Sequence, residues 1–360
     1  MCSSDLAAGI AMLAIATSAM AQDKTIELKL SHWVPPTHPL QKAMEHWGAS
    51  VEKASNGTIK FRIFPAQQLG KAFDHYDMAR DGIADFSYVN PGYQPGRFPI
   101  IAAGALPFLI GDAKGGIRAI DSWYRKHAAT EMKDVKYCFS FILDPLTFHS
   151  KTKKIVVPGD IKGMKIRPAQ GNVASWVTLL GGTNVQASAT EVRDVIEKGV
   201  ADAATFPWGS VPLLGVDKVT KFHLDAPLHT VTFQWLMSQR TYAGMSAAQK
   251  KVIDDHCTTA WAGTFADPWA DYERAGLAKV KALPGHEVYK ITDAQLDEWK
   301  KSAEPLRKKW ADDVSKAGGN ADAIYRELTG HLLANAHMVP AGIVAVNRAQ
   351  ERGYTFSYVA

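Results

Sequence analysis

The chain contains, near its middle, the stretch Asp160-Ile-Lys-Gly-Met-Lys-Ile-Arg-Pro168. Its last residues predict a short strand that ends at Arg167, with Lys165 facing solvent. A guanidinium at a strand end is always charged and can hold a carboxylate through two parallel hydrogen bonds. Arg167 could instead pair with an acidic neighbour within the protein, and on spacing alone this structural role is the commoner one.

Strands and helices alternate on the N-terminal side of this stretch. Alternating apolar residues predict strands at Ile26–Ser31, Ile59–Phe64 and 83–89. Apolar residues three and four positions apart predict an amphipathic helix at 40–54, and a shorter helix follows at 73–81. Strand, helix, strand, helix, strand in this order argues for an α/β fold with a parallel sheet.

The alternation starts again after residue 134, and the C-terminal third is helical. Apolar residues at four-residue spacing predict one long helix from Ile253 through Cys257 to Trp269, kinked at Pro268. The other predicted elements are strands at 135–143, 153–157, 164–167 and 231–237, and helices at 173–180, 190–199 and 292–317.

Composition and motifs exclude several classes of protein. The 360 residues, 46% hydrophobic and 21% charged, are typical of a globular protein of two domains. The net charge of +5 is spread along the chain, which disfavours nucleic acid and suits anionic solutes. Cys138 and Cys257 are predicted to be buried free thiols. The sequence contains no zinc motif and no GxSxG or GxGxxG motif, so we predict no metal, no cofactor and no enzyme activity.

The two ends of the chain differ from the rest. Residues 1–21 have the apolar core and the small-residue cleavage site of a secretory signal peptide, but no basic residue. We therefore expect a signal peptide whose first residues are not native. Residues 338–360 show no clear period and form a tail of uncertain origin.

Five motifs in order resemble the solute-binding protein of a tripartite ATP-independent periplasmic (TRAP) transporter, of the DctP type, over residues 26–336. The resemblance implies a two-domain, type II-like periplasmic-binding-protein fold with hinge strands and a long kinked helix that spans both domains. The expected domain I is 22–145 plus 230–272, and domain II is 146–229 plus 273–337. The motifs are Pro65-Ala-Gln-Gln-Leu-Gly70, Asp81-Gly-Ile-Ala-Asp-Phe86, Asp160–Pro168, Leu180–Gln186 and Glu191–Asp202.

The resemblance also implies a function. Such a protein is a monomeric receptor in the periplasm of a Gram-negative bacterium, which closes on a carboxylate and delivers it to the small and large membrane subunits. It further implies that Arg167 binds the carboxylate. This chain departs from the family pattern because Phe206 and Trp208 stand where polar residues are frequent. A monocarboxylate with an aromatic or bulky apolar body is therefore favoured over a sugar acid.

Ligands in this fold lie beyond the carboxyl ends of the strands. Two of the aromatic candidates there, Trp33 and Phe148, could instead be core residues, and His32 and His149 could be structural. The predicted substrate-binding residues are Arg167, Phe206, Trp208, Trp33, His32, Asn90, Tyr93, Phe148, His149 and Phe233.

Other functions were weighed against this one. A carboxylate-binding protein could serve another transporter type or a sensory system. An enzyme is disfavoured, because the acidic and histidine clusters at 74–75 and 254–256 fall on predicted exposed helix faces away from the strand ends.

Overall fold

A computed structural model describes residues 23–334, so the predicted signal peptide and the 338–360 tail lie outside the described residues. The strands are β1 Ile26–Ser31, β2 Ile59–Phe64, β3 Phe86–Val89, β4 Val135–Ile142, β5 Thr147–Ser150, β6 Lys165–Arg167, β7 Thr183–Asn184, β8 Ala203–Phe206, β9 Phe222–Leu224, β10 Thr232–Ser238 and β11 Glu287–Tyr289. The helices are α1 Pro39–Ala54, α2 His75–Arg80, α3 Ala113–Glu131, α4 Gly171–Leu179, α5 Val192–Glu197, α6 Ser210–Leu213, α7 Gln239–Ala243, α8 Ala247–His256, α9 Thr259–Lys281, α10 Asp293–Lys316 and α11 Ala321–Ala334.

The strands form two mixed sheets. The first, in the order β2-β1-β3-β10-β4, is the centre of domain I, and its β10 runs antiparallel to both neighbours. The second, in the order β11-β9-β5-β8-β6-β7, is the centre of domain II, where β5 is antiparallel to β8 and β9. The α/β fold in two domains is confirmed, but neither sheet is wholly parallel.

Two chain crossings lie side by side between the domains. The segment after β4 and the segment before β10 pair through Leu146 and His229, whose backbone N and O atoms are 2.6 Å apart. The third connection is α9, which packs on α1 and α3 of domain I and on α6 of domain II. Helix α11, which the sequence analysis assigned to domain II, packs on α3. Within residues 23–334, no helix combines the length and the apolar character needed to cross a bilayer.

Most predicted elements are present, and two predictions are wrong. The strand predicted at 153–157 is irregular, and the strand in this region is instead β5, Thr147–Ser150, which lies inside the second sheet between β9 and β8. The single helix predicted through Cys257 is two helices, because Thr258 caps a new helix by accepting a hydrogen bond from Trp261 N. Helix α3 was not predicted.

The prediction of two free thiols is also wrong. Cys138 on β4 and Cys257 between α8 and α9 form a disulfide, with their Cα atoms 4.4 Å apart. The two cysteines are separated by 119 residues, and local spacing contains no information on such a contact. The fold brings them together because α9 crosses over β4.

Candidate functional site

Arg167 ends β6 and is almost completely buried, with 1% of its surface exposed. Its Nε donates to the carbonyl of Ala187 at 2.9 Å, and its Nη2 donates to Tyr93 Oη at 3.1 Å. No carboxylate within residues 23–334 forms an ion pair with it. Burial lowers the pKa of Arg167, and the nearby Tyr93 and Glu191 raise it. Arginine nevertheless stays charged in a protein. The protein therefore holds a buried cation without an acidic partner.

A cavity of about 40 Å³ lies beside this guanidinium, between the domains. Two residues that can carry a positive charge line it, Arg167 and His38. Burial lowers the pKa of His38 to about 3, so that ring is neutral and Arg167 is the one charged residue of the lining. The lining residues are Trp33, Val34, His38, Tyr88, Asn90, Tyr93, Leu143, Leu146, Arg167, Ala169, Ala189, Thr205, Phe206, Pro207, Ser210, Leu214, Val231, Phe233 and Trp269.

Aromatic rings form most of the cavity wall. The Arg167 guanidinium lies 5.4 Å from the centre of the Phe206 ring, on the domain II side. On the domain I side the rings of Trp33 and Tyr88 stack at 4.8 Å, and Phe233 packs 5.1 Å from Tyr88. Such a wall suits a flat apolar ligand, whose stacking adds about 0.5–1.5 kcal/mol per ring pair beyond area burial.

Hydrogen bonds across the cleft hold the domains closed around the cavity. Ala189 N of domain II donates to Tyr93 Oη at 2.9 Å, and Asn90 Nδ2 of domain I donates to Ala169 O at 3.4 Å. Farther out, Asn172 Nδ2 donates to Ala102 O at 2.7 Å. The described arrangement is therefore a closed one, in which residues of both domains complete the cavity.

The structure brings together a part of the predicted site. The predicted residues that line the cavity are Trp33, Asn90, Tyr93, Arg167, Phe206 and Phe233. The predicted residues that do not line it are His32, Phe148, His149 and Trp208.

For two of the residues that do not line the cavity, the local structure gives the reason. His32 and Trp33 are neighbours, so their side chains leave the chain in different directions, and His32 Nε2 contacts Gln41 Oε1 on α1 at 2.6 Å. Phe148 lies inside β5 and packs against Trp299 of α10, with 5.5 Å between the ring centres. Both residues are therefore part of the packing around the cleft.

His149 and Trp208 belong to a chain of rings behind Phe206, in which His149 and His223 are fully buried. His149 Nε2 contacts the carbonyl of Phe206 at 3.1 Å, and its Nδ1 contacts His223 Nδ1 at 2.8 Å. His223 Nε2 contacts His286 Nδ1 at 2.9 Å, and Trp208 packs edge-on against His149. Burial lowers the pKa of His149 to about 4, so its ring is neutral and Nε2 donates to the carbonyl. Through the hydrogen bond from His149, this chain of rings positions the backbone of Phe206.

Sequence reasoning missed several wall residues. Tyr88 lies in β3, and the alternation of that strand could have placed it on the same face as the buried Phe86. Trp269 was assigned to core packing along the predicted long helix, and it contacts both the core and the cavity. Ser210 follows the end of β8, at the turn where Trp208 was expected to enter the site.

Glu273 connects α9 to the cavity wall. Its buried carboxylate accepts hydrogen bonds from Ser210 N at 2.8 Å, from Ser210 Oγ, and from Trp269 Nε1 at 2.8 Å. Burial raises the pKa of Glu273 to about 7, against the effect of these hydrogen bonds. The carboxylate thus positions Ser210 of domain II and Trp269 of the connecting helix.

Comparison with known proteins places this geometry in a family. Residues 30–313 match the model of bacterial extracellular solute-binding protein, family 7, DctP. A TRAP solute-binding protein from Rhodoferax ferrireducens T118, solved with copurified benzoate, is similar with a TM-score of 0.82 and 28% identity, covering 87% of this chain and 99% of that one.

Two further solved structures are similar. A marine metagenome TRAP solute-binding protein specific for aromatic acid ligands, solved with 3-hydroxybenzoate, has a TM-score of 0.79 and 30% identity, covering 85% of this chain and 97% of that one. A TRAP solute-binding protein from Roseobacter denitrificans with β-D-glucuronate, at a TM-score of 0.75 and 20% identity over 84% of this chain and 99% of that one, shows the fold alone. These proteins are substrate-binding receptors and not enzymes. The chain belongs to the DctP family of bacterial extracellular solute-binding proteins, the receptors of TRAP transporters.

Proposed function

We propose that this receptor captures a monocarboxylate with an aromatic or bulky apolar body in the periplasm and delivers it to a TRAP permease. The observation that supports this most directly is the buried guanidinium of Arg167, the one charge on the lining of a cavity that is otherwise mostly aromatic and apolar. A ligand carboxylate would supply the missing counter-charge, at about 1.5–3 kcal/mol per charge-assisted hydrogen bond.

The charge of the lining favours one carboxylate over two. A dicarboxylate would bring a second anion into a wall on which Arg167 is the single charged residue. A buried ion without a partner costs several kcal/mol even after relaxation. The benzoate and 3-hydroxybenzoate held by the two relatives are monocarboxylates with a flat apolar ring, which supports the same class for this chain.

The wall also disfavours a sugar acid. The several hydroxyl groups of such a ligand each need a hydrogen-bond partner. Phe206 and Phe233 offer only ring faces and edges, and the indole N–H of Trp269 already donates to Glu273. The neighbour with bound glucuronate is only 20% identical to this chain. A likeness at that level concerns the fold and gives no support for glucuronate as the ligand here.

Ligand capture and domain closure are coupled in this proposal. Arg167 belongs to domain II, and Trp33 and Tyr93 belong to domain I, so a ligand that touches all three stabilises the closed form. The closed surface would then be recognised by the small and large membrane subunits of the permease.

A thermal-shift screen tests the proposal. Benzoate, phenylacetate and mandelate should raise the melting temperature, and succinate and glucuronate should not. Arg167→Ala should abolish the shift, and Arg167→Lys should weaken it because an ammonium cannot bind a carboxylate in the bidentate way. Arg193→Ala, which removes a half-exposed arginine of domain II, is the matched control. A shift with dicarboxylates or sugar acids alone would overturn the assignment.

A further inference from the structure

Two hydrogen-bond donors at the cavity have no partner in the part of the chain that the structure describes. Trp33 is 3% exposed and Tyr88 is 0% exposed, and both residues line the cavity. Neither Trp33 Nε1 nor Tyr88 Oη forms a hydrogen bond within residues 23–334. The two rings stack on each other with their centres 4.8 Å apart, so the two side chains form one patch of the domain I wall.

Several other polar side chains of the lining have hydrogen-bond partners within the protein. Thr205 Oγ1 accepts from Ala169 N at 2.9 Å, and Asn90 Oδ1 accepts from Gly92 N at 3.0 Å. Tyr93 Oη accepts from Arg167 and from Ala189, and Ser210 Oγ donates to Glu273. The Trp33–Tyr88 patch therefore differs from Asn90, Tyr93, Thr205 and Ser210 on the same wall, whose side chains have partners among residues 23–334.

A buried donor without an acceptor is costly, and most buried polar groups in proteins are paired. An indole N–H can only donate, and a phenol hydroxyl can donate or accept. A group that satisfies both Trp33 and Tyr88 must therefore be an acceptor. It must also be uncharged, because the lining contains no cation besides Arg167.

We infer that the ligand has a neutral oxygen substituent, a hydroxyl or a carbonyl, on its aromatic body, and that Trp33 Nε1 and Tyr88 Oη bind it. This inference rests on the proposed function, since it concerns the same cavity. The carboxylate binds Arg167 of domain II, and the oxygen substituent binds domain I. A ligand with both groups forms polar contacts with both domains. An unsubstituted acid forms these polar contacts with domain II only.

Calorimetric titration of the wild type with matched ligands tests the inference. The series is benzoate, the three methylbenzoates and the three hydroxybenzoates, because methyl and hydroxyl have similar size and differ in hydrogen bonding. At least one hydroxybenzoate should bind about tenfold or more tightly than the methylbenzoate with the same substitution. In the ratio of the two affinities, contributions that both ligands share, such as the carboxylate and the ring, cancel.

Two variants assign the effect to the patch. Trp33→Phe and Tyr88→Phe should each reduce the hydroxyl-to-methyl ratio severalfold. The ratio is the readout, because both rings line the cavity and their replacement can change the affinity for either ligand alone. The controls are Trp235→Phe, which removes an unpartnered indole N–H outside the cavity, and Tyr76→Phe, which removes a buried phenol hydroxyl outside it.

The outcomes separate this inference from the proposed function. Equal binding of hydroxy and methyl ligands, or a ratio that both cavity variants leave unchanged, would overturn the role of the patch and leave the aromatic-acid receptor intact. Failure of every ligand in the series to bind would overturn the inference, and the absence of a thermal shift with phenylacetate and mandelate as well would overturn the proposed function.

Discussion

Tyr93 of domain I accepts a hydrogen bond from Arg167 of domain II, with 3.1 Å between Oη and Nη2. The same hydroxyl accepts a second bond from Ala189 N of domain II at 2.9 Å. Burial raises the pKa of Tyr93, and the positive charge of Arg167 opposes this, so the phenol is neutral at physiological pH. One hydroxyl therefore positions the guanidinium and joins the two domains.

Tyr93→Phe should weaken ligand binding by roughly 5- to 150-fold, because closure then leaves Arg167 Nη2 and Ala189 N without their acceptor, at about 1–3 kcal/mol. Calorimetric titration with a ligand found by thermal shift measures the effect. Tyr242→Phe, which removes a hydroxyl bonded to Asp254 away from the cavity, should bind as the wild type does. Wild-type affinity in Tyr93→Phe would contradict the role given to this contact.

Gly92→Ala should hinder closure. A Cβ atom at position 92 would lie 2.2 Å from Gln170 Cβ across the cleft, a distance that real Cβ atoms do not show. We expect weaker ligand binding by about 1–3 kcal/mol and a larger radius of gyration in small-angle scattering with ligand present. Gly159→Ala has no atom within 4 Å of the new Cβ and is the control.

The clash has a specific rescue. Replacing Gln170 by glycine in the Gly92→Ala background removes the opposing Cβ, so closure and affinity should largely return. If the double variant binds no better than Gly92→Ala, the loss has another cause.

Removal of the Cys138–Cys257 disulfide should lower the free energy of unfolding by about 2–5 kcal/mol. The double variant Cys138→Ala/Cys257→Ala and the reduced wild type should unfold at similar urea concentrations. Reductant should not affect the double variant further. Ligand affinity should stay close to that of the wild type, because neither cysteine lines the cavity. A wild type whose unfolding is insensitive to reductant would argue against the bridge.

Glu273 should make stability depend on pH. Its pKa is raised from 4.5 to about 7 in the folded protein, so the unfolded chain loses this proton first as pH rises. The contribution is fully present below pH 4.5 and is lost as pH rises through 7, by up to about 3 kcal/mol.

Urea unfolding between pH 5 and pH 8 measures this dependence as a difference between proteins. The free energy of unfolding of Glu273→Gln should decline less with rising pH than that of the wild type. Glu298→Gln changes an exposed glutamate and should follow the wild type. The buried histidines act in the opposite direction, since the lowered pKa of His149 reduces stability as pH falls from 6.5 towards 4. They act equally in all three proteins, so an unchanged slope in Glu273→Gln would refute the prediction.

The order of strands and helices could be read largely from the sequence. The alternation of Ile26–Ser31 and Ile59–Phe64 and the helical spacing of α1 are local patterns, and local patterns determine local elements. The prediction was wrong where local signals conflict, as at 153–157, where β-branched residues favour a strand but the backbone N–H of Val156 and Val157 bind Asp160 Oδ2.

The site could be predicted only in part. On spacing alone a structural role was the commoner one for Arg167, and the ordered motifs around it favoured carboxylate binding. The structure places Arg167 on the cavity. The sequence could not show which of the neighbours His32 and Trp33 faces that cavity. Trp208 would share the face of Phe206 if β8 continued, but β8 ends at Phe206 and Pro207 starts a turn.

The sequence by itself determined the family, the alternation of elements and the candidate carboxylate-binding arginine, because these depend on residue type, on spacing over a few residues and on the order of short motifs. Only the tertiary structure decided the disulfide between residues 119 positions apart, the Tyr93–Arg167 contact across the cleft and the unpartnered Trp33–Tyr88 patch. Those features depend on where distant segments meet and on the direction in which each side chain leaves its strand or helix, and both are properties of the packed chain.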